Sequence, residues 1–191
     1  MQEVGAVLTL TFYGGTGPRG ISPISGLDAM KIDHAIASAI VAGGVRRSAR
    51  MSIMRWDDPL IFDFINIKAE GGHWTTNISV EVDEHFFERL QDAQEMGAKA
   101  IGDSALVSAV LMDIAAGMLR NGEPGVWNSA LTAEGEVDGT YVTNPCGEAT
   151  LTPWEPCNLG SVNLGAFVNS FGDVLPNANA LGMFISAMPT F

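Results

Sequence analysis

The chain has 191 residues, 47% hydrophobic and 17% charged, which is enough for one domain with a sizeable core. Its 22 acidic residues against 10 basic ones give a net charge of -12, which argues against non-specific nucleic-acid binding. Two cysteines and three scattered histidines make neither a disulfide scaffold nor a four-ligand zinc site. Glu3 precedes a short apolar stretch, Val4–Tyr13, where a signal peptide would carry basic residues, and no segment is long enough to span a membrane. The chain reads as cytoplasmic, with no nucleic-acid or membrane partner.

In chain order, residues 4–13 read as a strand and Tyr13–Ser25 as a Gly/Pro-rich loop. Apolar positions from Leu27 to Ala42 approximate helical spacing, with Gly43-Gly44 as the stop. Val45–Trp56 alternates: Val45, Ala49, Met51 and Ile53 form a buried face, and Arg46, Ser48, Arg50 and Ser52 a polar, basic one. The Arg46/Arg47 pair could meet phosphate, but a structural role at a strand is the better expectation. Asp57-Asp58-Pro59 opens a helix to about Lys68, because acids and Pro suit a first turn. Glu70–Thr76 reads as a loop and Asn77–Val82 as a strand. Asp83 caps a helix reaching to about Gln94. Ser104–Arg120 is the clearest helix; Val107, Leu111, Ile114 and Met118 are its expected core face, and Asn121-Gly122 ends it. Trp127–Val142 is loop-rich, Thr140–Thr143 reads as a strand, and Ser161–Val168 as another. Strands alternating with helices predict an α/β architecture with largely parallel strands.

Chemistry concentrates in two loops. Asn144-Pro145-Cys146-Gly147-Glu148 places an amide, a thiol and a carboxylate at alternate positions. Pro145 biases Asn144 towards extended geometry, in which alternate side chains could converge on one ligand. Gly147 permits a tight turn or a close approach to a ligand. The second thiol, Cys157, comes eleven residues later in Glu155-Pro156-Cys157-Asn158-Leu159-Gly160. A surface turn with an inert structural cysteine is the bland alternative. Ordinary thiolate catalysis fits poorly, because no histidine lies near either thiol in sequence.

These loops, continued by Ser161-Val162-Asn163-Leu164, resemble the active-site segment of the ribonucleotide reductase large subunit. The interval between Cys146 and Cys157 is similar to that of the adenosylcobalamin-dependent class II enzymes. Val41–Ala49, Asp58–Lys68, Trp74–Val80 and Asn121–Gly125 resemble the family in the same order. The resemblance covers about residues 20–168, with residues 169–191 a divergent tail. It implies that 1–191 is part of a ten-stranded α/β barrel with the active-site cysteine on a fingertip loop.

The resemblance also implies roles. Cys146 would carry a thiyl radical that removes the 3′ hydrogen of a ribonucleotide, and Glu148 would act as base on the 3′ hydroxyl. Asn144 would hydrogen-bond the sugar, with Pro145 and Gly147 at the substrate. Cys157 would be one of two reducing thiols, its partner being absent from this chain. Trp74, Thr75, Thr76 and Asn77 would fall in the specificity loop that couples a nucleotide effector to substrate choice. No residue is assigned as a metal ligand. The implied cofactor is adenosylcobalamin, the vitamin B12 coenzyme. The implied partners are a ribonucleotide substrate, a nucleotide effector, a thioredoxin-like reductant, and the remaining reductase segments or another subunit. Alternatives are a reductase of a metal-radical class, a non-catalytic fragment or split-enzyme subunit acting by association, and a nucleotide-binding α/β module with incidental cysteines. The first reducing cysteine, the phosphate-binding turn and the other barrel strands have no counterpart here, so the chain alone is expected to be inactive.

Overall fold

A computed structural model describes residues 25–42, 46–136 and 142–157, with the single positions 161, 163, 165 and 182. The expected strand at 4–13, most of that at 161–168, the loop over 13–24 and the Gly43-Gly44 stop lie outside the described residues. The chain divides into two units, residues 1–157 and 158–191, and all elements named below belong to the first.

Helix α1 (Gly26–Ala39) starts at Ser25, whose Oγ accepts the Asp28 N–H at 3.1 Å. It ends three residues earlier than the sequence suggests, because Ile40 turns extended and leads into β1 (Val41–Ala42). β1 pairs antiparallel with β2 (Arg46–Arg47). The long strand expected over 45–56 is therefore two pieces, β2 and β3 (Arg50–Arg55).

Next come α2 (Ile61–Asn66), β4 (Thr76–Val82), α3 (Glu84–Met96), a 3-10 turn (Gly97–Lys99) and α4 (Asp103–Asn121). β5 (Gly125–Asn128), α5 (Ser129–Ala133) and the short strands β6 (Val142–Thr143) and β7 (Thr150–Leu151) complete the unit. β3, β4 and β5 form a parallel sheet in that order, β4 in the centre. Helical segments connect successive parallel strands, as a parallel sheet requires. The expected mixed α/β architecture is thus present.

β4 is buried on both faces at its centre, where Ser79 is 8% exposed, and its apolar residues share one face. Thr76, Ile78, Val80 and Val82 are buried on the face that meets the helices. Phe64 and Ile65 of α2, Phe86 of α3 and Val107, Val110 and Ile114 of α4 close over it, with Trp56 from the turn after β3. Register puts Arg50, Ser52 and Met54 of β3 on this same face. The sequence expectation placed the buried face at Met51 and Ile53; instead Met54 enters the core, and Arg50 is neutralised by Asp33 of α1 at 3.2 Å. The side of β3 expected to be polar thus faces the helices, because an ion pair accommodates its arginine there.

The face of α4 agrees with expectation at Val107 and Ile114 and departs from it at Leu111 and Met118. Val107, Val110, Ile114 and Gly117 are buried, whereas Leu111 and Met118 are exposed. A Cβ at Gly117 would stand 2.6 Å from the Glu123 carbonyl oxygen, so only glycine fits where the chain returns towards β5. Gly122 then closes the helix in the left-handed conformation, φ 81°.

Asp83 fastens three elements. Its Oδ1 accepts the Phe86 N–H at 3.0 Å as the α3 cap, and also the indole N–H of buried Trp56 at 3.1 Å. Its Oδ2 accepts from Arg55 at 2.9 Å. Burial alone would raise the Asp83 pKa, but these hydrogen bonds and the Arg55 charge hold it below the ordinary 3.8. Among the described residues no single helix is long and apolar enough to cross a membrane.

Candidate active site

The site is built from the β6–β7 hairpin, its loop and the segment to Cys157. β6 and β7 are antiparallel, with Val142 opposite Leu151 and Thr143 opposite Thr150. The connecting loop is organised by one side chain. Asn144 is buried, and its Oδ1 accepts both the Gly147 N–H at 3.1 Å and the Ala149 N–H at 3.0 Å. The Asn144 carbonyl also accepts the Gly147 N–H at 2.9 Å. Asn at the first position, Pro at the second and Gly at the fourth are the preferences of a type I turn. Gly147 then takes φ 83°, which reverses the chain into β7.

Residues 144–147 are therefore a tight turn and not an extended run. The three groups do not converge by alternation: Asn144 points inward to hold the turn, while Cys146 and Glu148 are exposed at its tip. The proline bias towards extended geometry applies to Asn144 itself, but the hydrogen bonds of the Asn side chain bend the backbone beyond it.

The turn lies over the face of the sheet opposite the helices. That face carries Met51, Ile53 and Arg55 of β3 beside Asn77, Ser79 and Glu81 of β4. Asn77 Nδ2 donates to the Pro145 carbonyl at 2.5 Å, and a Cβ at Gly147 would come within 4.0 Å of the Met51 methyl. The turn is thus pinned where β3 and β4 begin. Asn144 Nδ2 donates to Cys157 Sγ at 3.4 Å, which ties the second cysteine to the same turn. Cys157 is half-buried.

The Trp74–Asn77 segment runs from loop into strand. Trp74 is half exposed, Thr75 and Thr76 are buried, and Asn77 is exposed. His34 Nδ1 meets Thr75 Oγ1 at 2.7 Å, and the His34 ring stands 5.0 Å from His73 and 5.8 Å from Trp74. Burial, then the neighbouring His34, Lys31 and Lys68, push the His73 pKa below 6.5, partly offset by a hydrogen bond to the Ile67 backbone. Lys68 donates to the Thr76 carbonyl at 2.7 Å and pairs with Glu123. Sequence reading missed the His34–His73 contact and the Asn77–Pro145 bond, since both join residues far apart in the chain. The Asn-Pro-x-Gly order of residues 144–147 carries a turn signal, which the extended reading of this segment did not use. Among the described residues no group of three or more His, Cys, Asp or Glu could hold a metal ion.

No family model matches the chain. A Mycobacterium phage D29 protein named as an adenosylcobalamin-dependent ribonucleoside-triphosphate reductase is 54% identical over 155 residues, 78% of this chain and 21% of the phage protein. The chain is homologous to a segment of the adenosylcobalamin-dependent ribonucleotide reductases. The Lactobacillus leichmannii ribonucleoside-triphosphate reductase is 34% identical over 157 residues, 73% of this chain and 18% of that protein. A vitamin B12-dependent ribonucleoside-diphosphate reductase of Thermoplasma acidophilum is 32% identical over 155 residues, 73% of this chain and 20% of its own. The chain spans about a fifth of the length of these reductases.

Proposed function

We propose that this chain supplies the active-site cysteine segment of an adenosylcobalamin-dependent ribonucleotide reductase. The observation that carries the reading is the 54% identity over 155 residues to a protein named for that activity. The site geometry supports it. An exposed thiol at the tip of a pinned turn, with a carboxylate two residues on, can be approached by a radical source and by a sugar. The parallel sheet β3–β4–β5 is then a portion of the ten-stranded barrel, and the 144–149 loop its fingertip.

When bound, adenosylcobalamin supplies the radical chemistry. Cys146 would give its thiol hydrogen to that radical source, and the resulting sulfur radical would take the 3′ hydrogen of the ribonucleotide and return it to C3′ once the 2′ position is reduced. Glu148 accepts the 3′ hydroxyl proton, which lets the 2′ hydroxyl leave as water. Asn144 hydrogen-bonds the sugar once substrate competes for its amide, and Pro145 and Gly147 shape the approach. Cys157 and a second thiol supply the two electrons and two protons that complete the reduction. Their disulfide is returned to thiols by a thioredoxin-like reductant. Trp74, Thr75, Thr76 and Asn77 form the specificity loop; the Asn77–Pro145 bond gives that loop a direct hold on the turn. The nucleotide substrate, the effector and the remaining barrel segments are the partners, and the site of action is the cytoplasm.

A chimaera tests this reading. The chain replaces the matching segment of the phage D29 relative, and deoxyribonucleotide formation is assayed with added adenosylcobalamin. The expected result is cofactor-dependent turnover that Cys146→Ser abolishes. A folded chimaera with no turnover, or turnover unaffected by Cys146→Ser, refutes the assignment.

A further inference from the structure

Asn144 is the only described side chain that touches both cysteine-bearing loops through the hydrogen bonds of the site. Its Oδ1 holds the Gly147 and Ala149 amides, and its Nδ2 donates to Cys157 Sγ at 3.4 Å. The amide group is planar, so its two ends cannot rotate independently. A change at the sulfur that removes the acceptor, or moves it, alters the torque on the group that holds the turn.

We infer that Asn144 is a positioning residue that reports the chemical state of Cys157 to the turn carrying Cys146. With Cys157 as a free thiol, the side chain is anchored at both ends and the turn is held closed. With the sulfur in a disulfide, its new substituent competes for the space that Nδ2 occupies, and the Oδ1 end loosens. The inference rests on the proposed function for its meaning in turnover. There, two thiols surrender two electrons and two protons, a 2′ C–O bond is replaced by C–H, and the hydroxyl leaves as water. The turn would thus be held for the next radical only after the thiols are regenerated. The contact itself exists without substrate or cofactor, so it is testable apart from that reading.

The carboxylates of the two loops do not account for the link. Glu155 is engaged by the Thr152 N–H and hydroxyl at 2.8 and 3.0 Å, and Glu148 is exposed at the tip. Asn77 pins the Pro145 carbonyl from the sheet and is independent of the sulfur.

The test is amide hydrogen exchange on the full chain carrying Cys146→Ser, so that only Cys157 reacts. Methyl methanethiosulfonate converts the Cys157 thiolate to a mixed methyl disulfide, with methanesulfinate as leaving group. The Gly147 and Ala149 amides are expected to exchange about twofold to fivefold faster after modification, as loss of one weak hydrogen bond implies. The Ile78 and Val80 amides of β4 should be unchanged. Cys157→Ala should reproduce the acceleration without a bulky group. Asn144→Asp keeps the acceptor for both amides but has no donor for sulfur, so its exchange at Gly147 should no longer respond to Cys157 modification. Unchanged exchange at Gly147 and Ala149 on modification, or the same response in Asn144→Asp as in Asn144, overturns the inference. Neither result depends on whether the chimaera reduces nucleotides.

Discussion

Asp83→Ala removes three interactions that meet at one carboxylate. The first is the α3 cap, the Phe86 N–H at 3.0 Å, and losing such a cap costs about 1 kcal/mol. The second is the acceptor for the Trp56 indole N–H. Trp56 is 1% exposed, so water cannot replace that acceptor, and an orphaned buried donor costs about 1–3 kcal/mol. The third is the Arg55 contact, nearly half exposed on the arginine side and worth about 0–1 kcal/mol. The interactions share one group and do not add fully, which gives an expected loss of about 2–4 kcal/mol. Urea unfolding of the full chain, monitored by Trp fluorescence, should show the midpoint falling by about 1–2 M if m is about 2 kcal/mol/M. Asp83→Asn keeps an oxygen for Phe86 and Trp56 and should lose only about 1 kcal/mol or less. A loss under about 0.5 kcal/mol for Asp83→Ala, or equal losses for the two variants, would refute the reasoning. The lowered carboxyl pKa sets the sign with pH. The Asp83 contribution is fully present above 3.8 and is lost as pH falls through the lower folded value.

His73 is held below 6.5, so its contribution to stability is complete above that value and declines as pH falls from there through the folded value. His73→Gln should flatten the stability–pH curve in this window, and a curve identical to that of the parent would contradict the assignment. Gly117→Ala should destabilise by about 1–2 kcal/mol, because the clash with the Glu123 carbonyl outweighs the better helix propensity of Ala; a higher urea midpoint would contradict this. Lys68→Met removes the partner of Glu123 and a donor to the Thr76 carbonyl, with an expected loss of about 1–3 kcal/mol, part of which Glu123→Gln should restore in the double variant. If the double variant is no more stable than Lys68→Met, the pair carries none of the cost.

Elements fixed by local signals were legible in the sequence. The Asp83 cap, the span of α4 with Gly122 behind it and the short strand β4 all depend on residues a few positions apart. The face of β3 was not, and that of α4 only at Val107 and Ile114, since each depends on a partner distant in the chain. Periodicity ranks Leu111 and Met118 above Gly117, but backbone returning at Glu123 leaves room only for Gly117. Alternation ranks Met51 and Ile53 as buried, but the Asp33 carboxylate draws Arg50 to the helical side and Met54 accompanies it into the core. The same distinction holds at the site. Asn144, Cys146, Glu148 and Cys157 stand out by type and spacing, whereas the burial of Asn144 and its bond to Cys157 depend on how the second loop returns.

The proposed role of the Cys146 sulfur is removal of the 3′ hydrogen of a ribonucleotide. The most direct measurement is turnover of substrate deuterated at C3′ by the chimaera that carries this segment, in single-turnover mode and compared with the undeuterated nucleotide. Slower turnover of the deuterated substrate is expected, and no product from either substrate with Cys146→Ser. Equal rates for the two substrates together with product formation by the serine variant would contradict it.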